Sequence, residues 1–203
     1  MGIRATLDAD SRVESILQEP GGYFVNLARG WQWSGQRAFG CETLGEAARL
    51  LAAVRPDPET LADELRQADA GQGIESAYVY QAALLCEDCG KAQRAHLDSA
   101  FADNGADPGT DSDDSDRYPQ GPYADGGGEA DSPQHCDSCG AFLGNPLTGD
   151  GRAYVLARVA ELRPAPGESF LEAADSDGFG LGLWLRHYGA ELAQALDSGE
   201  LAP

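Results

Sequence analysis

The sequence has no long hydrophobic run. None of its 203 residues belong to a stretch of about 18 apolar residues, so nothing predicts a membrane-spanning helix. Residues 1–20 contain six charged side chains and no apolar core, unlike a secretory signal peptide. We therefore expect a cytoplasmic protein, whose cysteines stay reduced and bind metal rather than form disulfides.

Basic residues are also scarce. The chain has 14 Lys and Arg against 34 Asp and Glu, which gives a formal net charge of −20. Non-specific affinity for nucleic acid comes from cationic contacts with phosphate, so we expect no direct binding to nucleic acid or to an anionic membrane. The same charge attracts cations, and we therefore expect a basic protein as the partner.

Aromatic residues are few. They make up 8% of the chain, which also contains 26 Gly and 11 Pro, so a sizeable share must be loop or linker.

The remaining pattern of hydrophobic and capping residues predicts an α+β fold. Its three expected parts are an N-terminal ββα and helical unit over 1–73, a zinc-knuckle unit over 74–163, and a linker with a C-terminal helix over 164–203.

Capping residues and strand formers define the elements expected in the two outer parts. Ser11 and Glu14 have the spacing of a capping box, which predicts a short helix after them. Two runs of strand-forming residues separated by a turn predict a hairpin. The expected elements are a helix over 12–18, strands over 23–28 and 31–39, helices over 44–54 and 58–70 capped by Thr43 and Asp57, and a C-terminal helix over 181–196.

The acidic middle of the chain predicts little regular structure. Residues 98–131 contain ten acids and one base, Arg117, and residues 103–133 have almost no aliphatic side chain. Such a stretch cannot bury enough apolar surface to offset its conformational entropy. We therefore predict a solvated acidic loop over 103–133, preceded by a strand over 76–85 and a helix over 91–101.

Two copies of the motif C-x-x-C-G begin at Cys86 and Cys136. Two thiolates three residues apart can reach one ion if the chain turns tightly between them. The following glycine permits a left-handed backbone angle that aims amide N–H groups at sulfur. Two such turns supply the four sulfurs of a structural zinc site. The predicted ligands of a structural Zn²⁺ are Cys86, Cys89, Cys136 and Cys139.

Other chemistries for these cysteines stay open. A set of four thiolates accepts a single iron ion as well as zinc, and C-x-x-C pairs also serve as redox-active dithiols. The gap of 46 residues between Cys89 and Cys136 is long, and the acidic insert accounts for it.

The paired C-x-x-C-G knuckles resemble those of zinc-ribbon and treble-clef proteins, over roughly residues 76–143. The resemblance implies metal binding, and it leaves function open because such folds occur in nucleic-acid binders, adaptor proteins and enzymes. The knuckles here carry the acids Glu87, Asp88 and Asp137, where nucleic-acid-binding members often have bases. A small acidic protein with this site is also similar to many phage and mobile-element proteins.

Several further residues suggest chemistry. The run over 111–116 is acidic but lacks the glycine and glutamate of a calcium loop. Cys41 has no nearby histidine and is interpreted as a small buried residue. Trp31 and Trp33 are expected in the core, and we predict no catalytic residue because no known enzyme motif occurs. The candidate partner-binding residues are Asp111, Asp113, Asp114 and Asp116.

Three hypotheses for function follow. The first is a zinc-stabilised acidic binding protein that engages a basic, nucleic-acid-binding protein as a DNA mimic, for example a phage counter-defence inhibitor. The second is a zinc-ribbon regulator that binds nucleic acid through residues 21–55, where four arginines and two glutamates give a net charge of +2. The third is an enzyme subunit with catalytic residues of unrecognised type.

Overall fold

The computed structural model has an α+β fold and describes residues 2–68, 73–104, 113–165, 168–178 and 180–200. The chain divides into two compact units. The first contains residues 1–70 and 156–203, and the second contains residues 71–155. The division into three parts that was expected from the sequence stays a prediction.

The first unit combines small antiparallel sheets with helices. The elements of this unit are α1 (Ile3–Asp8), β1 (Val13–Glu19), β2 (Gly22–Leu27), β3 (Trp31–Gln32), β4 (Ala38–Cys41), α2 (Leu44–Leu51), β5 (Arg55–Pro56), α3 (Pro58–Gln67), α6 (Phe170–Ser176) and α7 (Leu181–Asp197). Strands β1, β2 and β4 form one sheet in that order, and β3 pairs with β5.

The helix predicted over 12–18 is wrong, because these residues form strand β1. Ile16 of β1 lies opposite Val25 of β2 and is buried, so the segment gains its stability from cross-strand packing. The capping bond expected from Ser11 is replaced by one from Asp10, whose Oδ1 accepts from the backbone N–H of Arg12 at 3.0 Å. Pairing with a neighbouring strand therefore overrides the local capping signal.

The predicted hairpin over 23–39 is also rearranged. β2 lies between β1 and β4, and the expected second strand is divided into β3 and β4 by a turn. Ser34 and Gly35 occupy that turn with φ of +48° and +76°, which ends β3 after two residues. β3 then pairs with β5, so Trp31 is buried at 2% exposure while Trp33 is half-buried.

The helix caps expected at Thr43 and Asp57 are confirmed. The Thr43 hydroxyl accepts from Glu46 N at 3.1 Å, and Asp57 Oδ2 accepts from Thr60 N at 3.0 Å. These bonds satisfy backbone donors that an α-helix leaves without partners in its first turn. α2 and α3 therefore begin where the sequence predicted.

The C-terminal helix α7 is confirmed and packs on α3 and α6. Its buried residues include Leu185 and Leu192, both at 0% exposure. Gly189 allows a close approach, because a Cβ there would lie 2.7 Å from the backbone oxygen of Leu65. The short α6 was not expected, although Ser169 and Glu172 form its capping box.

The elements of the second unit are β6 (Ala77–Tyr80), β7 (Ala83–Cys86), α4 (Glu87–Asp103), β8 (Gln120–Tyr123), β9 (Gln134–His135), β10 (Phe142–Leu143) and α5 (Gly149–Glu161), whose last residues belong to the first unit. They form a three-stranded sheet of order β7-β6-β8 and the two-stranded pair β9-β10. Buried Asn145 connects two of the loops, since Asn145 Oδ1 accepts from Gln134 N at 2.9 Å.

The prediction of a structureless acidic loop over 103–133 is wrong for part of its length. Residues 120–123 form β8 and pair with β6, and residues 125–127 form a 3-10 turn. Residues 105–112 of that prediction lie outside the described residues. The segment needs little aliphatic burial of its own because it adds to a sheet that already exists.

Substituting Gly189 by Ala tests the packing of α7 on α3. We expect a loss of about 1–3 kcal/mol in the free energy of unfolding, since the added methyl group overlaps backbone that cannot move away freely. The matched control is Gly45→Ala in α2, where no atom lies closer than 3.9 Å and removing a helical glycine should be neutral or stabilising. Urea unfolding measures both, and equal stability of the two variants would contradict this packing.

Candidate metal centre

A hairpin and a helix start position the first cysteine pair. The predicted strand over 76–85 is two strands, β6 and β7, joined by a tight turn in which Gln81 and Ala82 have φ of +50° and +60°. Cys86 ends β7 and is the N-cap of α4, and Cys89 lies on the first turn of that helix. The sequence motif suggested a tight turn between the two cysteines. In the structure, the first turn of helix α4 brings Cys89 close to Cys86 instead.

The second pair lies on a knuckle after β9. Cys136 N donates to Ala141 O and Gly140 N donates to Cys136 O, both at 2.8 Å, so the chain reverses within five residues. Gly140 has φ of +75°, which confirms the left-handed angle expected for the glycine of this motif. Cys139 is consequently turned back toward Cys136.

Gly90 has a different role from the one predicted. It is a buried helical residue of α4 with no left-handed angle. A Cβ at Gly90 would overlap the ring of Tyr78 on β6, so the glycine lets the helix carrying Cys89 lie directly on the sheet. The two glycines therefore meet two separate steric requirements.

The four sulfur atoms lie within 4.8 Å of one another. Cys86 Sγ and Cys139 Sγ are 3.7 Å apart. A tetrahedral zinc ion with Zn–S bonds of about 2.3 Å requires sulfur–sulfur separations of about 3.8 Å. A disulfide bond has a length of about 2.05 Å, so these cysteines are not joined by disulfides. The donor set and its spacing fit one tetrahedral metal ion.

The cysteines differ in burial, and this changes their acidity. Cys86 and Cys136 are buried, Cys89 is half-buried and Cys139 is exposed. Burial raises the pKa of the Cys86 thiol to about 12. Burial also acts to raise the pKa of Cys136, but hydrogen bonds from backbone amides, among them those of Cys139 and Ser138, outweigh it and lower that pKa to about 6. The backbone amides around Cys136 thus favour its thiolate, which is the form that binds a metal ion.

Asp137 attaches the knuckle to the hairpin. Its backbone N–H donates to Leu84 O at 2.8 Å, and its carboxylate accepts from Leu84 N at 2.7 Å. The two bonds fix the second cysteine pair against β7, the strand that ends in the first pair. In the sequence Asp137 stands out only as an acid within the motif, and no local signal indicates that Leu84 is its partner.

The remaining candidates lie elsewhere or have other contacts. Cys41 is buried at 9% exposure on β4 of the first unit, as expected, and burial raises the pKa of its thiol. His135 Nδ1 lies 3.0 Å from Gly140 O, and its ring contacts Phe142. His135 is not a member of the four-cysteine cluster.

The candidate partner-binding acids are placed only in part. Asp113, Asp114 and Asp116 are exposed, and Asp111 lies outside the described residues. Asp114 is engaged locally, because its Oδ1 accepts from Asp116 N at 2.9 Å. Their role toward a partner stays a prediction.

Comparison with known protein families, curated proteins and solved structures finds no match for this chain. The helices in the described parts of the chain are each too short or too polar to cross a membrane.

Replacing Asp137 by Ala tests the attachment of the knuckle. We expect the variant to lose about 1–2 kcal/mol of stability, because Leu84 N–H loses a charged acceptor. The control is Asp88→Ala, which removes an exposed acid from the other motif. Thermal unfolding compares the two, and a loss that is the same for both variants would show that charge alone, and not the bond to Leu84, is responsible.

Proposed function

We propose that this protein is a zinc-stabilised acidic binding protein. One structural Zn²⁺ held by the four cysteines organises the second unit, and the carboxylates around it engage a basic, nucleic-acid-binding partner protein as a mimic of DNA charge. The observation that carries the proposal is the set of four sulfurs spaced for one tetrahedral ion.

The donor set favours zinc in a structural role. Four cysteine sulfurs form a closed tetrahedral set that leaves no position for water or substrate. Two of the ligands, Cys86 and Cys136, belong to the buried core of the second unit together with Tyr78, Leu85 and Leu143. An ion bound there would hold together a core that has few large apolar side chains of its own.

Arg94 of α4 holds the acidic segment on the unit. Its guanidinium donates to Pro119 O at 2.7 and 2.9 Å and to Gly121 O at 3.0 Å, and it lies over the ring of Tyr78 at 4.7 Å. On the other side of the segment, Gln81 N donates to Ser115 O at 2.9 Å. The backbone that carries Asp113, Asp114 and Asp116 is therefore fixed in place.

A fixed backbone suits an acidic binding surface. Ordering a flexible loop on binding costs free energy, and a segment that is already ordered avoids most of that cost. The second unit carries 15 Asp and Glu against 4 Lys and Arg, so its field attracts cations and repels phosphate. This combination favours a basic protein over nucleic acid as the partner.

Replacing Cys136 by Ser tests the metal. We expect the purified wild type to contain about one zinc per chain, and the variant to lose the ion with several kcal/mol of folding free energy. Cys41→Ser is the control and should keep both. Elemental analysis and denaturant unfolding measure the two effects, and a metal-free wild type of unchanged stability would refute the zinc site.

Neutralising the exposed acids tests the partner surface. The probe is a set of nucleic-acid-binding proteins eluted from heparin, retained on the immobilised full chain at about 0.15 M salt. We expect retention that duplex DNA competes away and that the triple change of Asp113, Asp114 and Asp116 to Asn reduces at least about tenfold.

The control removes the same charge from the first unit by changing exposed Glu14, Glu19 and Glu42 to Gln, and it should retain the probe. If both triple variants lose retention to the same extent, net charge alone attracts the probe and the surface formed by Asp113, Asp114 and Asp116 has no special role. A gel shift of duplex DNA by the intact protein would favour instead the regulator hypothesis, with residues 21–55 as the binding region.

A further inference from the structure

The first unit contains a pocket that the proposed function does not use. Its volume is about 270 Å³, and its walls include the turn after β2, the start of α3 and the start of α6. The lining side chains that matter here are Arg29, Trp31, Thr60, Glu64 and Phe170. Pockets for drug-sized ligands measure about 300–1,000 Å³, so this one suits a smaller metabolite.

One wall of the pocket is aromatic and rigid. Trp31 and Phe170 are 2% and 3% exposed, and their rings lie 5.2 Å apart at an angle of 59°. Gly30, with φ of +88°, lets the turn lie against Phe170, because a Cβ there would be 3.1 Å from the ring. The aromatic pair therefore forms a fixed apolar surface.

Glu64 supplies a negative group to the pocket. It is half-buried, and its Oε2 accepts from Phe170 N at 2.7 Å. Burial raises the pKa of this carboxyl, although the guanidinium of Arg29 acts to lower it. A carboxylate in such surroundings gains stability from a cation that binds beside it.

Arg29 supplies a positive group and is exposed. Among the described residues, neither Arg29 nor Glu64 has an ion pair within 4.0 Å. Glu168 also lines the pocket, and its carboxylate accepts from Ala165 N as that of Glu64 accepts from Phe170 N. The pocket thus offers one guanidinium and two carboxylates that form no ion pair among the described residues, and Glu64 is the carboxylate bonded to the aromatic wall.

We propose that this pocket binds a small zwitterion of the size of an α-amino acid. The ammonium group bonds to Glu64 and lies near the aromatic wall of Trp31 and Phe170, whose π systems attract cations. The guanidinium of Arg163 already lies 6.0 Å from the centroid of the Trp31 ring. The carboxylate bonds to Arg29, for which carboxylate is a matched partner. A short aliphatic side chain fills the rest of the volume. A plain anion would meet Glu64, and a plain amine would leave Arg29 without a partner.

The test titrates the full chain, loaded with zinc, with L-valine and follows the indole N–H signal of Trp31 by NMR, assigned with Trp31→Phe. Isovalerate and isobutylamine are matched probes that each lack one charge. We expect a saturable shift with L-valine and binding at least about tenfold weaker for both single-charge probes, since each leaves one charged group without a partner.

Two variants locate the site. Glu64→Gln keeps the side-chain volume and an oxygen for Phe170 N–H, and Arg29→Gln removes the guanidinium, so each should weaken L-valine at least about tenfold. Arg37→Gln, on an exposed arginine that does not line this pocket, is the control and should bind as the wild type does. Absence of a saturable shift, equal binding of the three probes, or unchanged affinity in both variants would overturn the proposal.

Discussion

Four cysteine sulfurs within 4.8 Å of one another are the constraint on which the second unit depends. Thiolates so close repel each other strongly, and thiols so close leave polar groups in a core without good partners, whereas one divalent cation satisfies all four. Three residues around the sulfurs allow the chain to bring the four cysteines together. Gly90 lets α4 approach Tyr78, Gly140 reverses the knuckle, and Asp137 bonds the knuckle to Leu84. A small core with few aliphatic residues is the kind that gains most from a metal ion.

The acidic insert depends on the same unit. A segment of this composition has too little apolar surface to fold alone. It is ordered in the described residues because β8 adds to an existing sheet edge and because Arg94 donates to two of its carbonyl oxygens. The four-cysteine cluster, the sheet and the acidic surface are therefore linked in that order through the strands between them.

The features predicted correctly from the sequence include helix caps and helical spacing, which are set by residues close together in the chain. The caps at Thr43 and Asp57 follow from side chains within one turn of the backbone they act on, and α7 follows from the helical spacing of its apolar residues. The four cysteines were predicted from a repeated motif, although only the fold brings its two copies together. β1 was predicted wrongly although it pairs with the adjacent strand β2, and this pairing overrides the capping signal at Ser11. Two other features that were wrong or missed depend on residues far away in the sequence: β8 pairs with β6, and Asp137 lies 53 residues from its partner Leu84. No spacing within the motif identifies such a partner, because the fold and not the motif brings it near.

X-ray absorption at the zinc edge of the purified protein tests the central claim most directly. Four sulfur neighbours at about 2.3 Å, with no nitrogen or oxygen in the first shell, is the result expected for a closed site of Cys86, Cys89, Cys136 and Cys139. A shell of three sulfurs and one nitrogen, which would bring in a histidine such as His135, or a shell with bound water, would contradict it.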